Sequence, residues 1–324
     1  MLVAVEGKSQ LGSFGQGFHA LQDAIEAGAA LGDENFLPLF FLPKADTTAL
    51  ASFFNPRALR QVDHFTRMAL LGASLALQEA PEADEGTKTG IVLATGYGPA
   101  GPTFDFIESV LQYGENMVSP LAFSHSVQNI PAATLAKQLG FVGPCLTVCQ
   151  PEGSFIEALS VASLWLGQGI VERVILVAID EQHPLLPQVA KWQCEAQGIR
   201  AGDVLPGLGE GCAAFVLTAP WDGAKALLRG VPKLPENALH KDQPTLLSTA
   251  IPIMVAEAVK SFAGAAGYGL LPVAQALDVA MVLDLLPQAE LKNPEANTCL
   301  CASIPDGCGV YVSLARESRK SHAD

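Results

Sequence analysis

The chain has 324 residues, of which 49% are apolar and only 16% are charged, so it can build one large or two ordinary domains around a deep core. Its 19 basic and 33 acidic residues give a net charge of −14 without a basic stripe, which argues against nucleic-acid binding. Seven cysteines without repeated Cys-x-x-Cys pairs argue against a disulfide scaffold and a structural zinc site, and we expect no bound metal.

The first 80 residues are predicted to contain a strand and two helices. Met1–Val5 is predicted to be a short buried strand, Gly7–Gly17 a turn and Phe18–Ala27 a helix. Asn55–Ala80 is predicted to be one amphipathic helix, because apolar residues recur along it at three- and four-residue steps. Neither the opening MLVAVEGKSQ nor the apolar run FLPLFFLP at 36–43 resembles a signal peptide or a membrane span, so we expect a soluble, cytoplasmic protein without membrane contact.

A glycine-rich turn follows the predicted strand Thr89–Thr95. Its sequence, GYGPAG at 96–101, matches the Gly-x-Gly-x-x-Gly pattern of dinucleotide sites. However, Pro99 stiffens the loop, and the helix predicted over Thr103–Tyr113 runs into Ser119-Pro120 rather than into a second strand that ends in an acid. We therefore favour a tight strand-to-helix turn over a nucleotide site, and we expect no cofactor.

The chain is organised around a strand that ends in a sharp corner. Ile130–Leu139 is predicted to be a helix, Leu146–Cys149 a short buried strand, and a second helix is predicted from about Gly153. The corner between the last two reads QPEGS at 150–154. A strand that turns abruptly into a helix aims the free N–H groups and the positive dipole end of the helix at the corner, where they favour a thiolate or an oxyanion.

The rest of the chain alternates between strands and helices, which predicts an α/β protein. Glu172–Ile179 is a β-branched strand that completes a strand–helix–strand crossover, so we expect a parallel sheet around the corner. The remaining predictions are a helix at His183–Gln197, a strand entered through Pro206–Leu217, a helix and a short strand within Trp221–Val231, an irregular segment at Pro232–Pro252, a strand or loop at Val255–Ala266, a helix at Leu270–Leu286 and two strands within Thr298–Leu314.

Five separated segments resemble the β-ketoacyl synthases, condensing enzymes of the thiolase fold, in that family's order and approximate spacing. They are LRQVDHFTR at 59–67, TGIVLATGYGPAG at 89–101, Ser119–Gly143, GLGEGCAAFVL at 207–217 and KSF at 260–262. The resemblance implies an α/β, five-layered αβαβα fold with two pseudo-symmetric halves, residues 1–218 and a shortened 219–324. It also implies a dimer formed edge to edge through the strand Leu146–Cys149.

The catalytic positions depart from the family's pattern. Counted from Gly143-Pro144, the place of the catalytic cysteine falls on Glu152, and a carboxylate at a helix N-terminus is a poor acyl acceptor. The other departures are the absence of any histidine between His240 and His322, Ala265 or Ala266 in place of the second histidine after the lysine motif at Lys260, and Pro305 or Asp306 in place of a gating phenylalanine. We therefore expect no catalytic residue in this chain.

This pattern resembles the chain-length-factor type of subunit. The resemblance implies a non-catalytic partner that forms a heterodimer with an active ketosynthase in polyketide, aryl-polyene or fatty-acid-type chain elongation, bounds the acyl tunnel and meets an acyl carrier protein. The residues expected at the pseudo-active site are Glu152, Cys149, His240, Lys260 and Ala265. Candidates for the interface or tunnel are Thr147, Cys149, Gln150, Glu152, Phe155 and Asp306, and candidates for carrier docking are Arg57, Arg60 and Arg67.

Other interpretations stay open. Glu152 can be an ordinary acid in a first helical turn after Pro151, and Cys149 can be a displaced nucleophile or, as its strand position favours, a core side chain. His240 can be a remnant of the first histidine motif, and His125 is interpreted as a loop histidine rather than a base. The arginines can be a solvated helix face. Two alternative functions are an enzyme of altered chemistry, such as a malonyl-thioester decarboxylase, and a stand-alone homodimer that holds an acyl chain or a carrier domain.

Overall fold

The computed structural model describes residues 2–30, 43–114, 117–151, 153–186, 209–231, 245–248, 273–285, 298–303 and 308–314. The helices in these ranges are α1 (Gly17–Ala30), α2 (His64–Glu79), α3 (Ala100–Tyr113), α4 (Pro120–Ser126), α5 (Ile130–Leu139), α6 (Ser154–Gly167) and α7 (Ala274–Leu285). The strands are β1 (Leu2–Gly12), β2 (Gly15–Gln16), β3 (Thr89–Thr95), β4 (Cys145–Cys149), β5 (Arg173–Asp180), β6 (Gly211–Thr218), β7 (Ala226–Val231), β8 (Thr245–Ser248), β9 (Thr298–Ser303) and β10 (Cys308–Leu314).

The strands form one mixed sheet in the order β4-β3-β5-β6-β1-β7-β10-β9-β8, with the short β2 paired to β1. β3 lies parallel to both β4 and β5, whereas β6 is antiparallel to β5 and to β1. Beyond β1, β7 and β10 are antiparallel to their neighbours, and β8 is parallel to β9. The parallel trio β4-β3-β5 confirms the predicted strand–helix–strand crossover.

β1 joins two groups of strands. Its first residues, Leu2–Val5, pair with β7, and Ala4–Gly12 pair with β6, with a register shift between Val5 and Gly7. Such a shift bends a strand, so β1 can belong to both groups. Gly7 passes so close to α2 that a Cβ atom would collide with the carbonyl oxygen of Ala76, and only glycine fits there.

Helices cover the strands in layers. α2 and α5 pack on one face of the first strand group, β4-β3-β5-β6-β1, and share a buried core with it. α6 and α7 pack on the opposite face and also contact strands of the second group, β7-β10-β9-β8. These two helices therefore lie between the two strand groups, and the described residues supply four successive layers, α-β-α-β, of the expected fold. The division into halves at residue 218 stays a prediction.

One long helix begins later than its sequence pattern predicts. The helix expected over Asn55–Ala80 starts only at His64, because the carboxylate of Asp63 accepts a hydrogen bond from Thr66 N at 2.9 Å and caps the helix there. Residues 55–62 form turns instead. The apolar spacing therefore extends N-terminally beyond His64, although the cap at Asp63 sets the start of the helix.

Some shorter segments also differ from prediction. Gly7–Gly12 continue β1 rather than turning, because they pair with β6. Residues 219–225 contain a turn rather than a helix, and β8 lies within the segment expected to be irregular. The apolar pattern does not predict α4, which Ser119 caps and which contains His125, so that histidine is helical rather than in a loop. The helix predicted over His183–Gln197 falls mostly outside the described residues.

Candidate functional site

The predicted corner between a strand and a helix is present. β4 ends at Cys149, Gln150 N donates to Thr95 O at 3.0 Å, and α6 begins at Ser154. Gly153 has a φ of +70°, in the left-handed region that favours glycine, which lets the chain reverse within the corner. The predicted site residues Glu152, His240, Lys260, Ala265 and Asp306 lie outside the described residues.

Three strand ends and three helix starts meet at this corner. Because β3 is parallel to β4 and β5, the carboxyl ends of all three strands share one edge, with Thr95 beside Cys149. The edge also receives the start of α3, which follows β3 within five residues, and the start of α6, which follows β4. Val273, the residue before α7, donates its N–H to Asp180 and brings the start of α7 to the same place.

Asp180 lies buried at the end of β5. Its Oδ1 accepts hydrogen bonds from Thr95 Oγ1 at 2.9 Å, Gly96 N at 2.8 Å and Tyr97 N at 3.3 Å. Its Oδ2 accepts one from Val273 N at 3.0 Å. Burial raises the pKa of Asp180 to about 6, although all four hydrogen bonds favour the charged form. The carboxylate therefore connects the loop after β3 to the residue before α7.

Glu181 holds the start of α3. Its Oε1 accepts a hydrogen bond from Gly101 N at 2.8 Å, within the first turn of the helix. Burial raises the pKa of Glu181 to about 7, and the nearby carboxylates of Asp63 and Glu210 act in the same direction. A negative charge here is placed at the positive end of the α3 dipole.

The Gly-x-Gly-x-x-Gly loop is a structural turn. The N–H groups of Gly96 and Tyr97 donate to Asp180, and Gly98 N donates to Thr95 Oγ1 at 2.9 Å. A dinucleotide phosphate would need these N–H groups and would face the carboxylates of Asp180 and Glu181. The geometry therefore favours the turn over the nucleotide site, as the sequence pattern indicated.

Cys145, Cys149 and Cys212 are not activated as nucleophiles. Cys149 is partly buried on β4, with its Sγ 3.8 Å from Gly96 O. Burial, and then the charge of Asp180, raise the pKa of the Cys149 thiol. Burial also raises the pKa of the thiols of Cys145 and Cys212. These environments keep the sulfurs protonated near neutral pH.

The buried carboxylate of Glu210 connects three segments next to the site. It is not among the site residues predicted from the sequence. Glu210 precedes β6 and is fully buried, and its carboxylate accepts hydrogen bonds from Ala45 N at 2.6 Å and Gln182 N at 3.3 Å. His64 Nε2 lies 2.5 Å from Glu210 Oε1. Asp180 ends the strongly apolar strand β5, Glu181 follows it and Glu210 precedes β6, so acids at strand ends were the available sequence signal for all three.

The predicted tunnel or interface residues take different positions. Phe155 is buried in the core, with its ring centroid 5.6 Å from that of Phe215. Thr147 lies on β4, and its Oγ1 has no hydrogen-bond partner within the part of the chain that the structure describes. Gln150 lies partly buried at the corner. The structure brings Cys149 and Gln150 together there, whereas Phe155 packs inward.

The predicted docking arginines also separate. Arg57 and Arg60 are exposed on the turns before α2 rather than on a helix face. Arg67 is partly buried, and it donates from Nε to Val62 O at 2.9 Å and from Nη2 to Leu59 O at 2.7 Å. Arg67 therefore holds the turns against α2, while Arg57 and Arg60 are left facing solvent.

β4 has an open edge among the described strands, so it is an edge strand rather than the buried strand expected from its sequence. Ile91 N donates to Pro144 O at 2.9 Å and Gln150 N donates to Thr95 O, so the even-numbered residues of this stretch bond to β3. Along a strand the backbone groups of successive residues point to opposite sides. The N–H and C=O groups of Cys145, Thr147 and Cys149 therefore face the open edge.

Large apolar side chains are exposed on the same side of the molecule. α5 packs on both β4 and α4, and α4 packs on α3. We call the apolar surface of this region the α3–α4 face; its members are Ile107, Leu111, Tyr113, Met117, Leu121 and Phe123. Val142, which precedes β4, and Leu146, which lies on β4, are exposed next to it. Leu111 is 81% exposed and Val142 is 97% exposed. A patch of this kind marks an interaction surface.

Two further properties concern metals and membranes. Among the ranges given above, no three His, Cys, Asp or Glu side chains are arranged to hold a metal ion. No helix in those ranges is long and apolar enough to cross a membrane.

Comparison with known proteins identifies the family of the N-terminal region. Residues 42–202 match the family model described as "Beta-ketoacyl synthase, N-terminal domain". A search of curated protein sequences found no significant match.

Solved structures resemble the chain over almost its full length. "The ishigamide ketosynthase/chain length factor" is 18% identical with a TM-score of 0.69, covering 98% of this chain and 100% of that one. A structure of the acyl carrier protein AntF in complex with its type II polyketide ketosynthase AntDE is 14% identical with a TM-score of 0.72, and the match covers 97% of this chain and 99% of that one. The ketosynthase ApeO in complex with its chain length factor ApeC, from Xenorhabdus doucetiae, is 13% identical with a TM-score of 0.57, covering 97% and 99%. Residues 42–202 therefore belong to the β-ketoacyl synthase family as its N-terminal domain, and the chain as a whole has the fold of ketosynthases and chain length factors.

Proposed function

We propose that this chain is a non-catalytic, chain-length-factor-like partner of an active ketosynthase in polyketide, aryl-polyene or fatty-acid-type chain elongation. The observation that carries the proposal is that the corner between β4 and α6 offers no activated thiol among its described residues. Counted from Gly143-Pro144 along the sequence, we place the family's catalytic cysteine at Glu152. The thiol nearest to that position along the chain belongs to Cys149, which lies on β4, and its pKa is raised.

A condensing enzyme needs a thiolate to accept the acyl group. Cys149 is partly buried, has its Sγ beside the carbonyl oxygen of Gly96 and lies near the negative charge of Asp180. Each of these features disfavours a thiolate. An acid at position 152, two residues before α6 along the chain, does not replace the thiol chemistry. We infer that this chain does not carry the acyl group itself.

The surface beside the corner supports pairing with another subunit. Cys145, Thr147 and Cys149 direct backbone N–H and C=O groups toward an open edge, which a strand from a partner can pair with. The α3–α4 face adds an apolar surface on the same side. ApeO is described in complex with its chain length factor, and a heterodimer of that kind is what we propose here.

The altered-chemistry alternative has less support. Decarboxylation of a malonyl thioester needs N–H donors or other positive groups for the enolate oxygen. Gly96, Tyr97 and Val273 give their N–H groups to Asp180, and Gly101 gives its N–H to Glu181. These donors are thus already bound to carboxylates of the chain itself.

The proposal includes an acyl carrier protein as a further partner. Arg57 and Arg60 are the exposed members of the predicted docking set. Carrier proteins of this class are acidic, so a chain of net charge −14 would repel them except where such arginines are presented or where the ketosynthase subunit supplies positive charge. We therefore place docking near the turns before α2.

The test is purification of the chain alone and after co-expression with the thiol-bearing ketosynthase of the same host. We expect the chain alone to show no malonyl-dependent elongation, and the co-expressed pair to show a 1:1 complex by native mass spectrometry and elongation activity. A stable homodimer of this chain that elongates an acyl group in a preparation free of any ketosynthase would overturn the proposal. A homodimer that binds an acyl chain without activity would favour the stand-alone binding alternative.

A further inference from the structure

Four hydrogen-bond donors converge on one buried carboxylate at the candidate site. Thr95 Oγ1, Gly96 N and Tyr97 N donate to Oδ1 of Asp180, and Val273 N donates to its Oδ2. The distances are 2.9, 2.8, 3.3 and 3.0 Å in that order. Both carboxylate oxygens therefore accept hydrogen bonds, and all of the donors belong to segments other than β5.

The donors come from segments that are far apart in the chain. Thr95, Gly96 and Tyr97 belong to the end of β3 and to the loop that opens α3, whereas Val273 is the residue before α7. α7 also contacts β8, β9 and β10 of the second strand group. The side chain of Asp180 thus ties the start of a helix that packs on the second strand group to the loop that leads into α3.

A carboxylate loses its hydration when it is buried, so a charge is kept there only where donors replace the water. Asp180 is 1% exposed, and the described part of the chain shows no Lys, Arg or His bonded to it. Its charge is compensated by backbone N–H groups, one hydroxyl and the N-terminal end of α7. Such a constellation of N–H donors binds a carboxylate of any origin.

We propose that the loop after β3 and the start of α7 form a carboxylate-binding nest whose resident ligand is the side chain of Asp180, and that Asp180 acts as a positioning residue for α3 and α7. This inference goes beyond the proposed function and does not depend on it. It assigns a role to an acid that is not a member of the predicted pseudo-active site. Asp180 also helps to fix the position of the α3–α4 face, because it is hydrogen-bonded to the loop from which α3 starts.

The nest can be tested by removing its ligand and supplying another. Asp180→Gly deletes the carboxylate and the Cβ atom, which leaves room for formate or acetate. We expect the variant to unfold at a lower temperature than the parent chain, and we expect sodium formate or acetate to raise its Tm saturably, well beyond the effect of equal sodium chloride. Leu277→Ala is the matched control, because it loses buried apolar volume in α7 without losing a carboxylate. Equal effects of formate on the two variants would overturn the proposal.

Hydrogen exchange measured by mass spectrometry supplies a second readout in the full chain. In Asp180→Asn the side chain keeps its size but loses its charge, so we expect faster exchange at residues 96–101 and at the start of α7, with residues 212–217 of β6 unchanged. Exchange that rises equally in all three segments would show a general loss of stability and would overturn the positioning role. If Asp180→Gly does not fold, this comparison decides the proposal alone.

Discussion

His64 Nε2 lies 2.5 Å from Oε1 of Glu210, a carboxylate that is fully buried before β6. The same carboxylate accepts N–H groups from Ala45 and Gln182. One side chain thus connects the first residue of α2 to two loops at the back of the candidate site. No local sequence signal links these residues, since His64 and Glu210 are 146 positions apart.

Removal of the Glu210 carboxylate is expected to be strongly destabilising. Glu210→Ala leaves the N–H groups of two buried residues and the partly exposed imidazole of His64 without their acceptor, which costs about 3 kcal/mol. The measurement is the free energy of unfolding in urea. Glu82→Ala, at an exposed acid, is the matched control and is expected to change stability by less than about 0.5 kcal/mol. Equal stability of the two variants would contradict this account of Glu210.

The titration of Glu181 is expected to contribute to the pH dependence of the free energy of unfolding. Its pKa is raised to about 7 in the folded chain, mainly by burial. A raised pKa means that the folded state holds its proton more tightly than the unfolded chain does, so this contribution is fully present below about pH 4.5 and is lost as pH rises through 7. Its full size is at most about 3 kcal/mol.

Glu181→Gln is expected to remove this dependence. Glutamine can still accept the N–H of Gly101 but does not titrate, so the fall in unfolding free energy between pH 5 and pH 8 becomes shallower and the variant gains relative stability at pH 8. Urea unfolding at the two pH values measures this, and Glu157→Gln serves as the control because it makes the same change at an exposed acid on α6. An unchanged slope in Glu181→Gln would show that this carboxyl does not titrate in the range given.

The parts of the fold that the sequence predicts well have local causes. Thr89–Thr95 is an uninterrupted buried strand with the predicted bounds, and Ile130–Leu139 is a helix that ends at Gly140 with φ +75°, a residue whose conformation stops a helix. The corner after β4 was predictable because the Gly-Pro turn, the strand and the helix follow one another directly. Asp180 and Glu210 could be noted in the sequence as acids at strand ends, but their bonding partners could not be predicted, because the donors lie in distant segments. The residues of β4 by themselves did not reveal its open edge, since five apolar or small residues fit a buried strand and an edge strand alike, whereas the family resemblance implied a dimer formed through this strand.

A thiol at position 152 is expected to be more reactive than those of Cys145, Cys149 and Cys212. Glu152→Cys would introduce a thiol two residues before the first residue of α6, and the dipole and free N–H groups at a helix start lower a thiol pKa. Cys149 has a raised pKa, so we expect iodoacetamide to alkylate the introduced thiol at least about tenfold faster than Cys149 at pH 7. Peptide mass spectrometry locates the adduct. Adding Cys149→Ser to the same variant shows whether any labelling of this peptide comes from Cys149. Faster labelling of Cys149 than of the introduced thiol would revive Cys149 as a candidate nucleophile.

The docking arginines are expected to separate into two classes. Arg57→Glu and Arg60→Glu change exposed turns, so stability should stay within about 0.5 kcal/mol while binding of an acyl carrier protein to the assembled complex weakens. Arg67→Ala loses two hydrogen bonds to Leu59 O and Val62 O and should lower stability by about 1–2 kcal/mol. Surface plasmon resonance at low and high salt, beside urea unfolding, measures both. A carrier affinity that is insensitive to the reversals at Arg57 and Arg60 would place docking elsewhere.

The open edge of β4 can be closed by one substitution that spares the sheet. Thr147 directs its N–H away from β3, so Thr147→Pro removes a donor that only a partner strand would use. We expect the variant to remain folded and to bind the ketosynthase subunit at least about tenfold more weakly, because the ring also blocks close approach of another strand. Val148→Pro is the matched control, since its N–H faces β3 and the substitution should destabilise the chain itself by about 3 kcal/mol. Native mass spectrometry and circular dichroism separate loss of partner from loss of fold. If Thr147→Pro were folded and still formed the complex with parental affinity, the partner would have to bind through another surface, and the α3–α4 face alone would then be the place to search.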